Sequence, residues 1–351
     1  MNSSASQTYL KTRVNIFATQ LFTDDRILEL LDMPLEELSG TFGLTGIIES
    51  HLAPQQLNHA LEQSLLHSLM SDLSVLLRPL DGTSRVLLVY WSRKFALFNL
   101  KTLIRCKLNE LSLEEVSSYL HHLPDIIRLP HEKLLQAENI LEMLHLLEHG
   151  PYQSIARQAR QVYEEKNEPF SLDAAIDRSY FQGMVKYSNS NSNSNSQIDR
   201  EGLKELIGML TDRQNLLWVL RYRFMYQLSS GETYYLLVPF GKYLDRNRLM
   251  ELVNLDSFQS VLEKLPPKLS RIVSGTTNAM QARQRLDFYL SGEMRRLIRF
   301  SPSPATRALA YLVARDTDLK RLNALLQGKL LGLDSELVHE ALMPPAFQEA
   351  A

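Results

Sequence analysis

Residues 57–69 read LNHALEQSLLHSL, residues 172–184 read LDAAIDRSYFQGM, and residues 282–294 read ARQRLDFYLSGEM. The three stretches align without a gap. An acid recurs at the sixth place (Glu62, Asp177, Asp287), and a large apolar residue closes each (Leu69, Met184, Met294). Leu57, Leu61, Leu65 and Leu69 lie four apart, the spacing of one face of an α-helix. A second helical stretch follows each after a variable segment: NLKTLIRCK at 99–107, NLLWVLRYR at 215–223 and RLNALLQGK at 321–329. Apolar residues hold the second, fifth and sixth places every time: Leu100, Leu103 and Ile104; Leu216, Val219 and Leu220; Leu322, Leu325 and Leu326. The ninth place holds a cation, Lys107, Arg223 or Lys329. At about 100° per residue it returns to the line of the second place, so each cation ends an apolar stripe.

The same order continues outward. Ser112 with Glu115, and Ser229 with Glu232, have the spacing of capping boxes, and Asp334 or Ser335 can cap the third start. A proline closes each unit at Pro130, Pro239 and Pro344, and the run 27–31 (ILELL) echoes 140–144 and 249–253. Helical periodicity also covers 133–149, 156–165, 201–210, 213–228, 246–253, 279–299 and 305–327, and 83–90 reads as the start of a long buried helix. The unit recurs about every 110 residues. That is too long for a solenoid repeat and is the size of a small domain. The expected fold is all-α, with three similar helical domains over 9–127, 128–236 and 237–351. Three like domains in one chain most simply pack by a pseudo-threefold operation that closes a ring, giving a funnel with its chain ends close together. The alternating Ser/Asn tract 188–196 reads as a surface loop, since it has nothing to bury.

Composition narrows the function. The 351 residues carry 38 Lys plus Arg against 40 Asp plus Glu, a net charge of -2, which argues against a dedicated nucleic-acid binder. The one cysteine, Cys106, excludes an intrachain disulfide and reads as a core thiol of a reducing compartment. No stretch approaches the roughly 18 apolar residues of a spanning helix, and residues 1–8 have no signal-peptide pattern. A cytoplasmic protein is expected.

Little in the chain promises catalysis. His145, Glu148 and His149 match the H-x-x-E-H order of one zinc-peptidase class, but Gly150-Pro151 ends the helix at once, and a solvated helix end is the simpler reading. Gly40, Gly43 and Gly46 lack the Lys-Ser/Thr of a phosphate loop and read as a bent helix–helix connection. Met184 and Met294 read as core fillers, His121-His122 as surface, and the tyrosine-rich stretch 222–235 as core rather than binding surface. No metal or cofactor is expected.

Taken in order, several features resemble the C-subunit family of A/V-type (vacuolar-type) ATPases, whose counterpart in the eukaryotic vacuolar enzyme is the d subunit. They are Tyr9 and Arg13-Val14, the helices at 99–107 and 215–223, the stretch 237–241 (LVPFG), and Gly328-Lys329 with Gly332-Leu333. The resemblance runs over almost the whole chain. The departures are Arg321 where the first two helices have asparagine, Gln327 where they have arginine, and the Ser/Asn insertion. The resemblance implies a non-catalytic rotor part of the central stalk, peripheral on the cytoplasmic face of the membrane. Its funnel would receive the tip of the central shaft (subunits of the D and F types) and sit on the membrane ring of proteolipid subunits, passing torque in ATP-linked proton or sodium transport. Two readings of the cations Arg105, Lys107, Arg221, Arg223 and Lys329 follow. They line the funnel and meet acids on the shaft, or they support their own helix ends or pair with Glu62, Asp177 and Asp287. A stand-alone helical adaptor of the same fold is the alternative function.

Overall fold

The computed structural model describes residues 3–50, 52–111, 116, 119–189 and 197–342, and every regular element among them is a helix. Ser112 and Glu115, most of the Ser/Asn tract (190–196) and Pro344 lie outside the described residues. Three pairs of consecutive long helices form the frame. They are α5 (Pro54–Leu77) with α6 (Gly82–Leu108), α10 (Pro169–Ser188) with α11 (Gln197–Phe224), and α16 (Ala279–Phe300) with α17 (Pro304–Leu330). Shorter helices fill in around them: α1 (Ser3–Ala18), α2 (Asp24–Asp32), α3 (Leu35–Thr41) and α4 (Thr45–Ile48) before the first pair, and α7 (His131–Gln136), α8 (Ile140–Leu146) and α9 (Gln153–Lys166) before the second. Then come α12 (Ser230–Leu236), α13 (Arg246–Val253), α14 (Phe258–Lys264) and α15 (Pro267–Val273), and α18 (Ser335–Leu342) follows the third pair.

The starts are written in the sequence. Pro54, Pro169 and Pro304 open α5, α10 and α17, where a missing N–H costs nothing. Asn278 and Ser303 cap α16 and α17 by accepting from Gln281 N and Thr306 N at 3.0 and 2.9 Å. Ser229 and Glu232 form the expected capping box at α12. Each second helix is buried round more than a full turn: Leu87 to Ser92 in α6, Asn215 to Leu220 in α11 and Ala305 to Leu312 in α17 contain no exposed residue.

Two boundaries differ from the periodicity. The stretches 99–107, 215–223 and 321–329 are not separate helices after loops but the last turns of α6, α11 and α17. Conversely, 133–149 is not continuous: Asn139 accepts from Glu142 N at 3.0 Å and starts α8 afresh after α7.

The helix pairs meet in a cycle. The second helix of each packs on the first helix of another: α6 on α10, α11 on α16, and α17 on α5. The N-terminal helices dock on the last pair. α1 lies along α17, Phe22 N donates to Asp318 Oδ2 at 2.9 Å, and Lys329 Nζ donates to Leu31 O at 2.6 Å. Asp212 of α11 does for the second pair what Asp318 does for the third. It accepts from Lys242 N, Tyr243 N and Leu244 N at 2.8–2.9 Å, fixing the lead into α13 as Asp318 fixes the lead into α2. Burial drives both carboxyls up to about 6, against the pull of these N–H donors. At the α6–α10 seam Gly183 is required: a Cβ there would collide with Tyr90 Oη, whose ring is stacked on Tyr180.

Candidate functional site

The repeated first helices turn the same four places toward common space. Glu62, Leu65, Leu66 and Leu69 of α5 line a cavity of about 350 Å³. Asp177, Tyr180, Phe181 and Met184 of α10, with Asp287, Leu290, Ser291 and Met294 of α16, line one of about 310 Å³. The two cavities share Lys94 of α6 with Asp316 and Lys320 of α17. Lys94, Leu210 and Asp316 stand at one place in the three second helices, five before Asn99, Asn215 and Arg321. They converge on this space: Lys94 Nζ lies 2.7 Å from Asp316 Oδ2, and Leu210 lines the same cavity. Lys320 Nζ reaches the same carboxylate at 2.9 Å, and Lys94 also lies over the Trp91 ring at 4.0 Å. Burial pushes the Asp316 carboxyl up, but Lys320 and Lys94 together outweigh it and hold it well below the usual carboxylate range.

The recurring acids are seam residues. Asp177 receives Lys101 Nζ of α6 at 2.5 Å. Asp287 receives Arg213 of α11 through Nε and, at 3.0 Å, through a second guanidinium nitrogen. Glu62 receives the amide of Asn323 of α17 at 3.3 Å. Each acid is therefore approached by the second helix of another pair. Of the readings open for the ninth-place cations, pairing with these acids is the one the contacts do not bear out. Lys107, Arg223 and Lys329 instead donate to backbone carbonyls, those of Leu135, Leu228 and Leu31, at 3.4, 2.6 and 2.6 Å. Arg105 is exposed and pairs with Asp173 at 2.9 Å. Arg221 is exposed as well, and its guanidinium donates to Tyr226 Oη at 2.8 Å. None of the five lines the two central cavities.

Asparagines of the repeat act as peptide clamps that the motif alone did not reveal. Asn99 donates to His121 O and accepts from His121 N at 2.8 and 2.9 Å. Asn215 does the same to Val238 at 2.7 and 3.0 Å. Through its clamp, His121 is drawn in rather than left on the surface. It stacks on Phe98, and burial drives its imidazole down to about 4. The tyrosine stretch divides: Tyr222 is buried, while Tyr226 and Tyr235 are exposed.

The remaining motifs resolve simply. α8 ends at Leu146, so His145 and His149 do not share a helix, and Glu148 is held by Arg160 at 2.5 Å. Gly43, at φ 68°, makes the bend between α3 and α4. Met184, Met294 and Cys106 are buried. Among the described residues no group of three or more His, Cys, Asp or Glu is placed to hold a metal ion, and no helix is long and apolar enough to cross a membrane.

Known proteins match this chain over most of its length. The C subunit of the A-type ATP synthase of Methanocaldococcus jannaschii is 23% identical over 97% of this chain and 86% of its own length. That of Methanosarcina barkeri is 20% identical over 97% and 94%, and that of Pyrococcus horikoshii 23% over 90% and 84%. The family model described as ATP synthase (C/AC39) subunit matches residues 10–341, nearly the whole length of an all-helical chain, and the chain belongs to that family.

Proposed function

We propose that the chain is a non-catalytic rotor subunit of an A/V-type ATPase, a socket that seats the end of the central shaft and rests on the membrane proteolipid ring. The observation that carries this reading is the common lining: four equivalent places of each repeated first helix border two adjoining cavities at the meeting of the helix pairs. The cyclic seams α6–α10, α11–α16 and α17–α5 support a pseudo-threefold body of three units. A closed ring of rigid helix pairs suits the transmission of torque, since each seam is braced on both sides. Membership of the family supports the complex, with shaft subunits of the D and F types as partners and a peripheral place on the cytoplasmic face. In this reading Lys107, Arg223 and Lys329 fasten neighbouring segments to the helix ends. The exposed guanidinium groups of Arg105 and Arg221 are the members of that set open to a partner.

The test is the company the protein keeps. A tagged chain extracted in mild detergent is expected to bring down the other ATPase subunits, the proteolipid among them. Recovery of the chain alone, from membranes that contain an intact ATPase, overturns the reading and favours a stand-alone adaptor.

A further inference from the structure

The three seams carry the same acid but not the same partner. At two of them the acid is matched by a cation from the facing second helix, Lys101 to Asp177 and Arg213 to Asp287. At the third, Asn323 of α17 faces Glu62, and among the described residues no cation lies within ion-pair distance of that carboxylate. The cations of the same cavity, Lys94 and Lys320, are both committed to Asp316. His59, one turn away on α5, is kept below the ordinary imidazole value by burial despite the pull of Glu62, so its charged form is disfavoured.

A second observation points the same way. Asn323 spends its amide N–H on Glu62, and its Oδ1 is buried without a partner. His121 Nδ1, on the wall of the same cavity, is likewise buried and unpartnered. Buried polar atoms ordinarily find partners, and each one left alone carries a desolvation cost. The floor between them is apolar, made by Leu65, Leu66, Leu69, Phe95 and Leu319. The cavity therefore combines a long apolar wall with an unneutralised carboxylate and a free carbonyl oxygen. A stem of methylenes ending in a multiple donor fits that combination, and a guanidinium supplies five donors in one plane.

We propose that this cavity receives a cationic side chain, arginine or lysine, from the end of the shaft, supplying to the third seam the charge that Lys101 and Arg213 supply to the other two. The inference rests on the socket reading above. It adds that the socket is keyed, because only one of three otherwise similar seams has the vacancy, so the shaft seats in one rotational register.

The full-length chain and the purified shaft subunit test this by titration calorimetry at low and at high salt. Glu62→Gln removes the carboxylate charge. Asn323→Lys fills the vacancy from within, as Lys101 does at its own seam, and should leave the thermal midpoint at or above that of the wild type. Each variant is expected to bind the shaft at least about tenfold more weakly, the scale for loss of one desolvated charge partner, and with a shallower salt dependence. Binding of a folded Asn323→Lys protein as tight as wild type overturns the proposal while leaving the socket intact. Failure of the wild-type chain to bind the shaft at all overturns the socket reading, and the key with it.

Discussion

Replacing Asn215 with alanine is expected to lower the stability of the protein by about 2–4 kcal/mol, read as a shift of the denaturant midpoint at unchanged slope. The side chain is fully buried and holds both polar groups of one peptide residue: Nδ2 donates to Val238 O at 2.7 Å, and Oδ1 accepts from Val238 N at 3.0 Å. Alanine leaves the buried Val238 N–H without a partner, at about 1–3 kcal/mol, takes from Val238 O one of its two donors (Phe240 N, at 2.7 Å, remains), and opens a small void. Aspartate is no substitute, because a carboxylate cannot donate to the carbonyl. The effect should be local to the stretch after α12, whose return toward α11 depends on the clamp. Asn99→Ala, which releases His121, should behave alike. A loss below about 1 kcal/mol at both sites would mean that water replaces the amide, and that the clamp is not what fixes these returns.

The second large effect is expected at the centre. Asp316→Ala leaves Lys94 and Lys320, both now bound to one carboxylate, facing each other with no anion between them. Breaking a buried pair costs about 3–5 kcal/mol, because the remaining charge stays desolvated. Lys94 keeps 27% of its side chain exposed and Lys320 keeps 67%, so some of the cost is relieved by water, and about 2–4 kcal/mol is expected. Removing Lys94 as well, in the double variant Lys94→Met with Asp316→Ala, should recover most of the loss, since two apolar groups replace the pair. The double-mutant cycle by denaturation measures this coupling directly. Independent, additive losses would show that Lys94 and Asp316 do not meet in solution, and that α6 and α17 are not joined at the centre of the cycle.

Much of this architecture was legible in the sequence. The gap-free recurrence of 57–69, 172–184 and 282–294 marked the helices that turn equivalent residues to shared space, because a helix fixes which residues share a face. The capping box at Ser229 was equally readable. What could not be read was the partner across each seam. Glu62, Asp177 and Asp287 recurred plainly, but their partners lie two places after the repeat's first residue in Lys101 and Asn323 and two places before it in Arg213. A one-turn slip along the helix preserves the contact and destroys the alignment. The ninth-place cations left their readings open for the opposite reason. They kept perfect register, yet their partners are backbone carbonyls, which no side-chain pattern records. Lys94 and Asp316 carried no signal, since equivalent places holding a cation, a leucine and an acid look like drift until the fold brings them together.

The central claim is that three equivalent faces surround one partner. Phe98, Gln214 and Lys320 occupy the same place in the three second helices, one before the repeat's first residue, and all line the two cavities. A photo-crosslinking side chain placed singly at each position, in the assembled ATPase, measures what that space contains. The account predicts that all three positions attach to the same shaft subunit. Attachment to different subunits, or only to neighbouring helices of this chain, would contradict it.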